Sequence, residues 1–129
     1  MKFRDLWQKD TAANTGQQGE QLAEAFLKHQ GLVTEARNYR HRVGEIDLIM
    51  LDGDVRVFIE VRLRQHRNFS SASESITRSK QQKIIRAAEA YLQQHDPNAR
   101  LACRFDVIAL SSLEPQAAPE WIKSAFDAV

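Results

Sequence analysis

The sequence predicts one α/β domain with the element order αβββαβ, a mixed sheet flanked by helices. Three observations point there. Residues 43–64, VGEIDLIMLDGDVRVFIEVRLR, alternate around an Asp-Gly-Asp turn, as a β-hairpin does. Apolar residues at helical spacing stand on either side of that hairpin, over 16–30 and 78–94. The near-continuous apolar run ACRFDVIAL at 102–110 reads as an interior strand. The strand–helix–strand unit 55–110 should therefore cross over right-handed.

In chain order, residues 1–14 are polar and lack periodicity. They are expected to form a flexible arm, with Trp7 as a candidate anchor, ahead of a single domain over 15–129. In the first helix Leu22, Ala23, Phe26 and Leu27 make the apolar stripe, Gly31 ends it, and Glu20 lies on its edge. Residues 32–40 form a poorly alternating first strand. Gln65 to Ser75, rich in Ser, Arg and His, is expected to be a mobile loop beside the hairpin. Thr77 or Ser79 can cap the second helix, whose inner stripe is Ile84, Ala87, Ala88 and Tyr91. Asp106 in the last strand is assigned no chemistry, and Trp121, Ile122 and Phe126 give a short C-terminal apolar element.

The hairpin carries the chemistry. Gly44, Ile46, Leu48 and Met50 point one way, and Glu45, Asp47, Ile49 and Leu51 the other. Val55, Val57, Ile59, Val61 and Leu63 form an unbroken apolar face opposite Arg56, Phe58, Glu60, Arg62 and Arg64. With an Asp52-Gly53 loop Glu45 faces Glu60; with a Gly53-Asp54 loop Asp47 does; a three-residue loop would set acids against oils. Either allowed register brings the Asp47 and Glu60 side chains within about 4.5–8 Å at Cβ. Clustered carboxylates are costly unless a cation joins them, and Mg²⁺ favours carboxylate oxygens while keeping waters for phosphates. An Asp followed after twelve residues by Glu-x-Arg therefore suggests a metal site with an adjacent cation. The plain alternative is a solvated hairpin face with Glu60 neutralised by Arg56 or Arg62.

GEIDLIM followed by VFIEVRLR resembles the PD-(D/E)xK nuclease signature, an Asp and then Glu-x-Lys on adjacent strands. The chain from about Thr15 to Phe126 resembles the YraN family of small bacterial proteins, predicted endonucleases distantly similar to archaeal Holliday-junction resolvases. TGQQGEQLAEAFL, SITRSKQQKI, CRFDVIAL and EWIKSAF carry that likeness together with the hairpin. The resemblance implies a restriction-endonuclease-like core of the same αβββαβ order. It also implies metal-assisted DNA hydrolysis, with Asp47, Glu60 and helix-borne Glu20 holding Mg²⁺ or Mn²⁺ and Glu45 behind them. Arg62 stands where the family has Lys; it can stabilise charge but cannot act as a base.

Net charge is +1, yet windows 37–42, 62–67 and 78–86 hold ten of the 18 Lys and Arg and no acid. Arg42, Arg64, Arg67, Arg78, Lys80 and Lys83 are the candidates there for nucleic-acid contacts, with Lys80 and Lys83 near a helix N-terminus. DNA, branched or single-stranded, is the expected partner, and a junction cutter would use a two-fold dimer. One cysteine, Cys103, and no run approaching ~18 apolar residues lead to the expectation of a cytoplasmic protein with no membrane partner. The four histidines lack metal-ligand spacing, and there is no Gly-rich phosphate loop or nucleophile elbow. Two rival readings are a non-catalytic nucleic-acid-binding or adaptor protein on a nuclease scaffold and, against the basic surface, a small-molecule phosphohydrolase.

Overall fold

A computed structural model describes residues 11–63, 76–114 and 116–128, and the side chains from Thr15 onward within the first helix. The expected arm over 1–10 with Trp7, the loop 65–75, and Arg64 and Arg67 lie outside the described residues. The elements are α1 (Thr11–His29), β1 (Val33–His41), β2 (Gly44–Asp52), β3 (Val55–Leu63), α2 (Arg78–His95), β4 (Ala102–Leu110) and β5 (Glu120–Phe126). The predicted αβββαβ order is present, and the C-terminal apolar element adds a fifth strand. Helix α1 begins at Thr11 rather than at 16, so the last four residues assigned to the arm are helical. Apolar periodicity starts late in this helix, and its polar first turns hide the true start.

The sheet runs β1-β2-β3-β4-β5, antiparallel except for the parallel β3–β4 pair that α2 connects. The β2–β3 register pairs Asp52 with Val55 and Leu48 with Ile59, which selects the Gly53-Asp54 loop. Gly53 takes φ +60°, as the first loop position of a II′ hairpin turn requires.

Among the described residues, one helix packs on each face of the sheet. Ala23 and Leu27 of α1 pack with Leu48, Met50, Val57, Ile59, Ile108 and Leu110, and Val55, Val61 and Leu63 join them. On the other face Ile84, Ala87, Ala88 and Tyr91 of α2 pack on Ile49, Phe58 and Phe105. The predicted apolar face of β3 and the inner stripe of α2 are both as read from the sequence. Ile46 is a correction. Strict alternation put it with Leu48, but it packs on the α2 side, where its β1 partner Tyr39 also lies. The start of β2 curls toward α2, and Gly44 makes that approach possible. A Cβ at position 44 would sit 2.5 Å from the Lys83 carbonyl oxygen. Gly44→Ala is therefore expected to cost about 1–3 kcal/mol, because backbone rather than a flexible side chain must yield. Denaturant unfolding would check this; an unchanged midpoint would contradict the close approach.

Two buried polar clusters fix the remaining elements. Arg56 binds Glu35 at 2.8 and 3.2 Å and Asp96, the C-cap of α2, at 2.9 Å, while Tyr91 donates to Glu35 at 2.5 Å. Arg56 is thus committed to the far end of β3 and does not neutralise Glu60. Asp106 accepts from Arg104, from the Trp121 indole at 2.9 Å and from the Ser124 amide at 2.9 Å, which ties β5 to β4. Its role is structural.

Candidate active site

The β2–β3 ladder runs from the turn only as far as Leu48 and Ile59. Asp47 is the next residue, where the strands part. Its Oδ2 accepts the Val61 backbone N–H at 2.8 Å, replacing a strand acceptor with a carboxylate. Glu60 stands on the α2 face of β3, two residues beyond Phe58. Both acids are buried. They line one cleft of about 240 Å³ with Gly16, Gly19 and Glu20 of α1, Arg62 of β3 and Lys80 of α2.

Lys80 reaches this cleft through the cap of its helix. Thr77 is the N-cap, and its hydroxyl accepts the Lys80 N–H at 3.1 Å. Lys80 therefore sits in the first turn, beside the end of β3, with Nζ 3.4 Å from Glu60 Oε1.

The electrostatics follow from burial. Desolvation raises the Asp47 carboxyl above the usual range, although the Val61 N–H bond and the Lys80 charge pull it down. Desolvation and then the Asp47 charge push Glu60 up to about 7, against the opposing pull of Lys80 and Arg62. Glu20 is also raised, by burial and then by Asp47, while a hydrogen bond from Asn38 lowers it. Two buried acids, a third beside them and two cations thus share one space. Burial and mutual repulsion raise all three carboxyls, the kind of perturbation that marks candidate functional sites.

The structure brings together Glu20, Asp47, Glu60, Arg62 and Lys80, but not every predicted site residue. Glu45 is exposed, and Arg40, its cross-strand partner on β1, satisfies it at 3.7 Å. It lies beyond the β2–β3 pairing, where solvent is the easier environment, and it does not line the cleft. Arg78 lines a separate cleft with Gln81 and Asp127. Arg42 and Lys83 are exposed outside the carboxylate cleft, the β1–β2 turn lying against Lys83 through Gly44. The sequence placed Lys80 among the candidate nucleic-acid contacts, near a helix N-terminus. Its place on Glu60 depends on the return of the crossover helix, for which the Thr77 cap was the available signal. Among the described residues no three His, Cys, Asp or Glu side chains converge as a ready metal cluster. None of the described helices is long and apolar enough to cross a membrane.

A profile described as an uncharacterised protein family, UPF0102, matches residues 19–110. The chain is 46% identical over 122 residues to a UPF0102 protein of Pseudomonas aeruginosa, covering 93% of this chain and 98% of the relative. It is 53% identical over 112 residues to one of Nitrosospira multiformis, covering 87% and 92%. To one of Aeromonas hydrophila it is 49% identical over 128 residues, covering 97% and 95%.

Proposed function

The chain belongs to the UPF0102 family, and from the chemistry of its cleft we propose that it is a metal-dependent endonuclease hydrolysing phosphodiester bonds in DNA. The observation that carries this reading is the buried Asp47–Glu60 pair, opened by the parting of β2 from β3 and faced by Lys80 and Arg62. Two buried acids gain nothing structural from each other. A divalent cation would relieve their burial and repulsion together.

The donor set suits such an ion. It is all oxygen, and two protein carboxylates with water and substrate phosphate are a usual complement for Mg²⁺. Asp47 and Glu60 would hold the ion, Mg²⁺ or Mn²⁺, with Glu20 beside them. Bound there, it would supply positive charge to the phosphoryl oxygen and acidify a water. The chain's own residues would do the rest. Val61 N–H would fix the Asp47 carboxylate, Lys80 would pair with Glu60, and Arg62 would offer paired donors to charge developing on phosphate.

The test is a cleavage assay on duplex, single-stranded, flap and four-way DNAs with Mg²⁺, with EDTA, and with Asp47→Asn protein. Cutting with Mg²⁺ is expected, with at least about a hundredfold loss in the variant, since removing one electrostatic group from a reacting centre commonly costs that much. Binding without cutting, indifferent to Asp47→Asn, would instead assign a binding or adaptor protein on a nuclease scaffold.

A further inference from the structure

A second cleft, of about 210 Å³, opens on the other side of Glu20, which lines both. Its polar wall is made by Gln17 and Gln21 of α1, one turn apart, and by Arg37 and Asn38 of β1. We infer that this cleft is a subsite for one unpaired nucleobase adjacent to the scissile phosphate. The inference deepens the nuclease reading, on which it rests for the identity of the polymer.

The chemistry of the wall favours a base over a phosphate. Glu20 and Glu24 both line the cleft, and carboxylates repel an anion. Glu24 is already saturated: it accepts from Arg37 Nε at 2.8 Å and from Thr34 at 2.5 Å, and pairs with Arg37 Nη2 at 2.7 Å and Lys28 at 3.5 Å. The two-point grip of Glu24 on Arg37 fixes the guanidinium plane, and 57% of that side chain remains exposed. A guanidinium held this way cannot turn to grasp a phosphate with its bound edge, whereas a fixed and largely exposed guanidinium suits stacking by a base. Unstacked bases pack on Arg planes and hydrogen-bond through their edges, which is how single strands are usually read.

The amides supply the edge contacts. Gln17, Gln21 and Asn38 each offer both a donor and an acceptor, the complement that a base edge presents. Asn38 holds a left-handed backbone, φ +51°, and its amide donates to Glu20, joining the second cleft to the first. A cleft this small takes one ring system. Duplex DNA keeps its bases inside the stack, so the substrate must present an unpaired nucleotide, as a flap, a junction or a single strand does.

The test compares two strands of equal length, an ordinary single-stranded DNA oligonucleotide and a fully abasic deoxyribose-phosphate strand. Binding is measured in EDTA to the full chain and to a Gln17→Leu/Gln21→Leu variant. Both glutamines are exposed, so the fold tolerates the change. The ordinary strand is expected to bind wild type about tenfold more tightly, the order of one stacked base, and the variant is expected to lose most of that margin. Equal affinities for the two strands, no binding to either, or a margin unchanged in the variant would overturn the subsite. Because no turnover is needed, the two readings fail separately. Base preference lost in the variant without any Mg²⁺-dependent cutting keeps the subsite and removes the nuclease. Cutting with equal affinities does the reverse.

Discussion

Lys80→Ala is expected to lower Mg²⁺-dependent cleavage by about 10²–10³-fold, more than Arg62→Ala does. Both cations line the carboxylate cleft, but they differ in what they can do there. Lys80 Nζ lies 3.4 Å from Glu60 Oε1 and comes from the first turn of α2, where backbone N–H groups add to its field. An amine can pass a proton to or from an attacking water, whereas a guanidinium stays charged at every working pH. Arg62→Lys is accordingly expected to preserve or raise cleavage. A second readout separates catalysis from mere support. Lys80 lowers both Asp47 and Glu60, so its loss should move the acidic limb of the pH–rate profile to higher pH. Were Arg62→Ala the more damaging change, with the limb unmoved in Lys80→Ala, the role would pass to Arg62.

The parts of this molecule that follow period-two and period-3.6 patterns were open to reading from the sequence. The apolar face of β3, the inner stripe of α2 and the antiparallel hairpin parity all follow from which side chains must leave water. The choice between the two permitted loops did not, because a two-residue shift of register satisfies the same alternation. The departure at Ile46 was hidden for a different reason. Alternation assumes a strand that stays flat on its sheet, and β2 curls once Asp47 leaves the ladder.

The site shows the same division. The nearness of Asp47 and Glu60 follows from hairpin parity, which puts both acids on one face. Glu45 satisfied the same parity, yet Arg40 across the β1–β2 pair gives it an exposed partner. Parity places a residue on a face but does not decide whether the cleft or solvent receives its carboxylate. Arg56 was a candidate partner for Glu60 by face alone. It serves Glu35 and Asp96 instead, because α2 ends over that part of β3. Contacts between elements distant in sequence, such as Lys80 on Glu60 or Gly44 on Lys83, become legible only once the crossover is built.

Glu60→Gln is expected to stabilise the protein at pH 8 by up to about 3 kcal/mol and to leave stability near pH 4 almost unchanged. Burial and the Asp47 charge raise the folded-state carboxyl from 4.5 to about 7. A raised group binds its proton more tightly in the folded chain, so its favourable contribution is complete below the unfolded value. That contribution is lost as pH rises through the folded value, and above about 7 the wild-type chain carries the full cost of an ionised buried acid. Glutamine keeps the shape and removes the charge. It forfeits the ion pair with Lys80, but that side chain is 45% exposed and returns readily to water. Urea unfolding of both proteins across this range would show their stabilities diverging upward from about pH 5. Mg²⁺ should then reverse the order at pH 8, since an ion held by two carboxylates stabilises the native wild type by mass action. A difference independent of pH would mean that Glu60 is ionised at ordinary carboxylate values and that the cleft is wetter than its burial implies. A pH-dependent difference that Mg²⁺ leaves untouched would keep the electrostatics and remove the ion from the proposal.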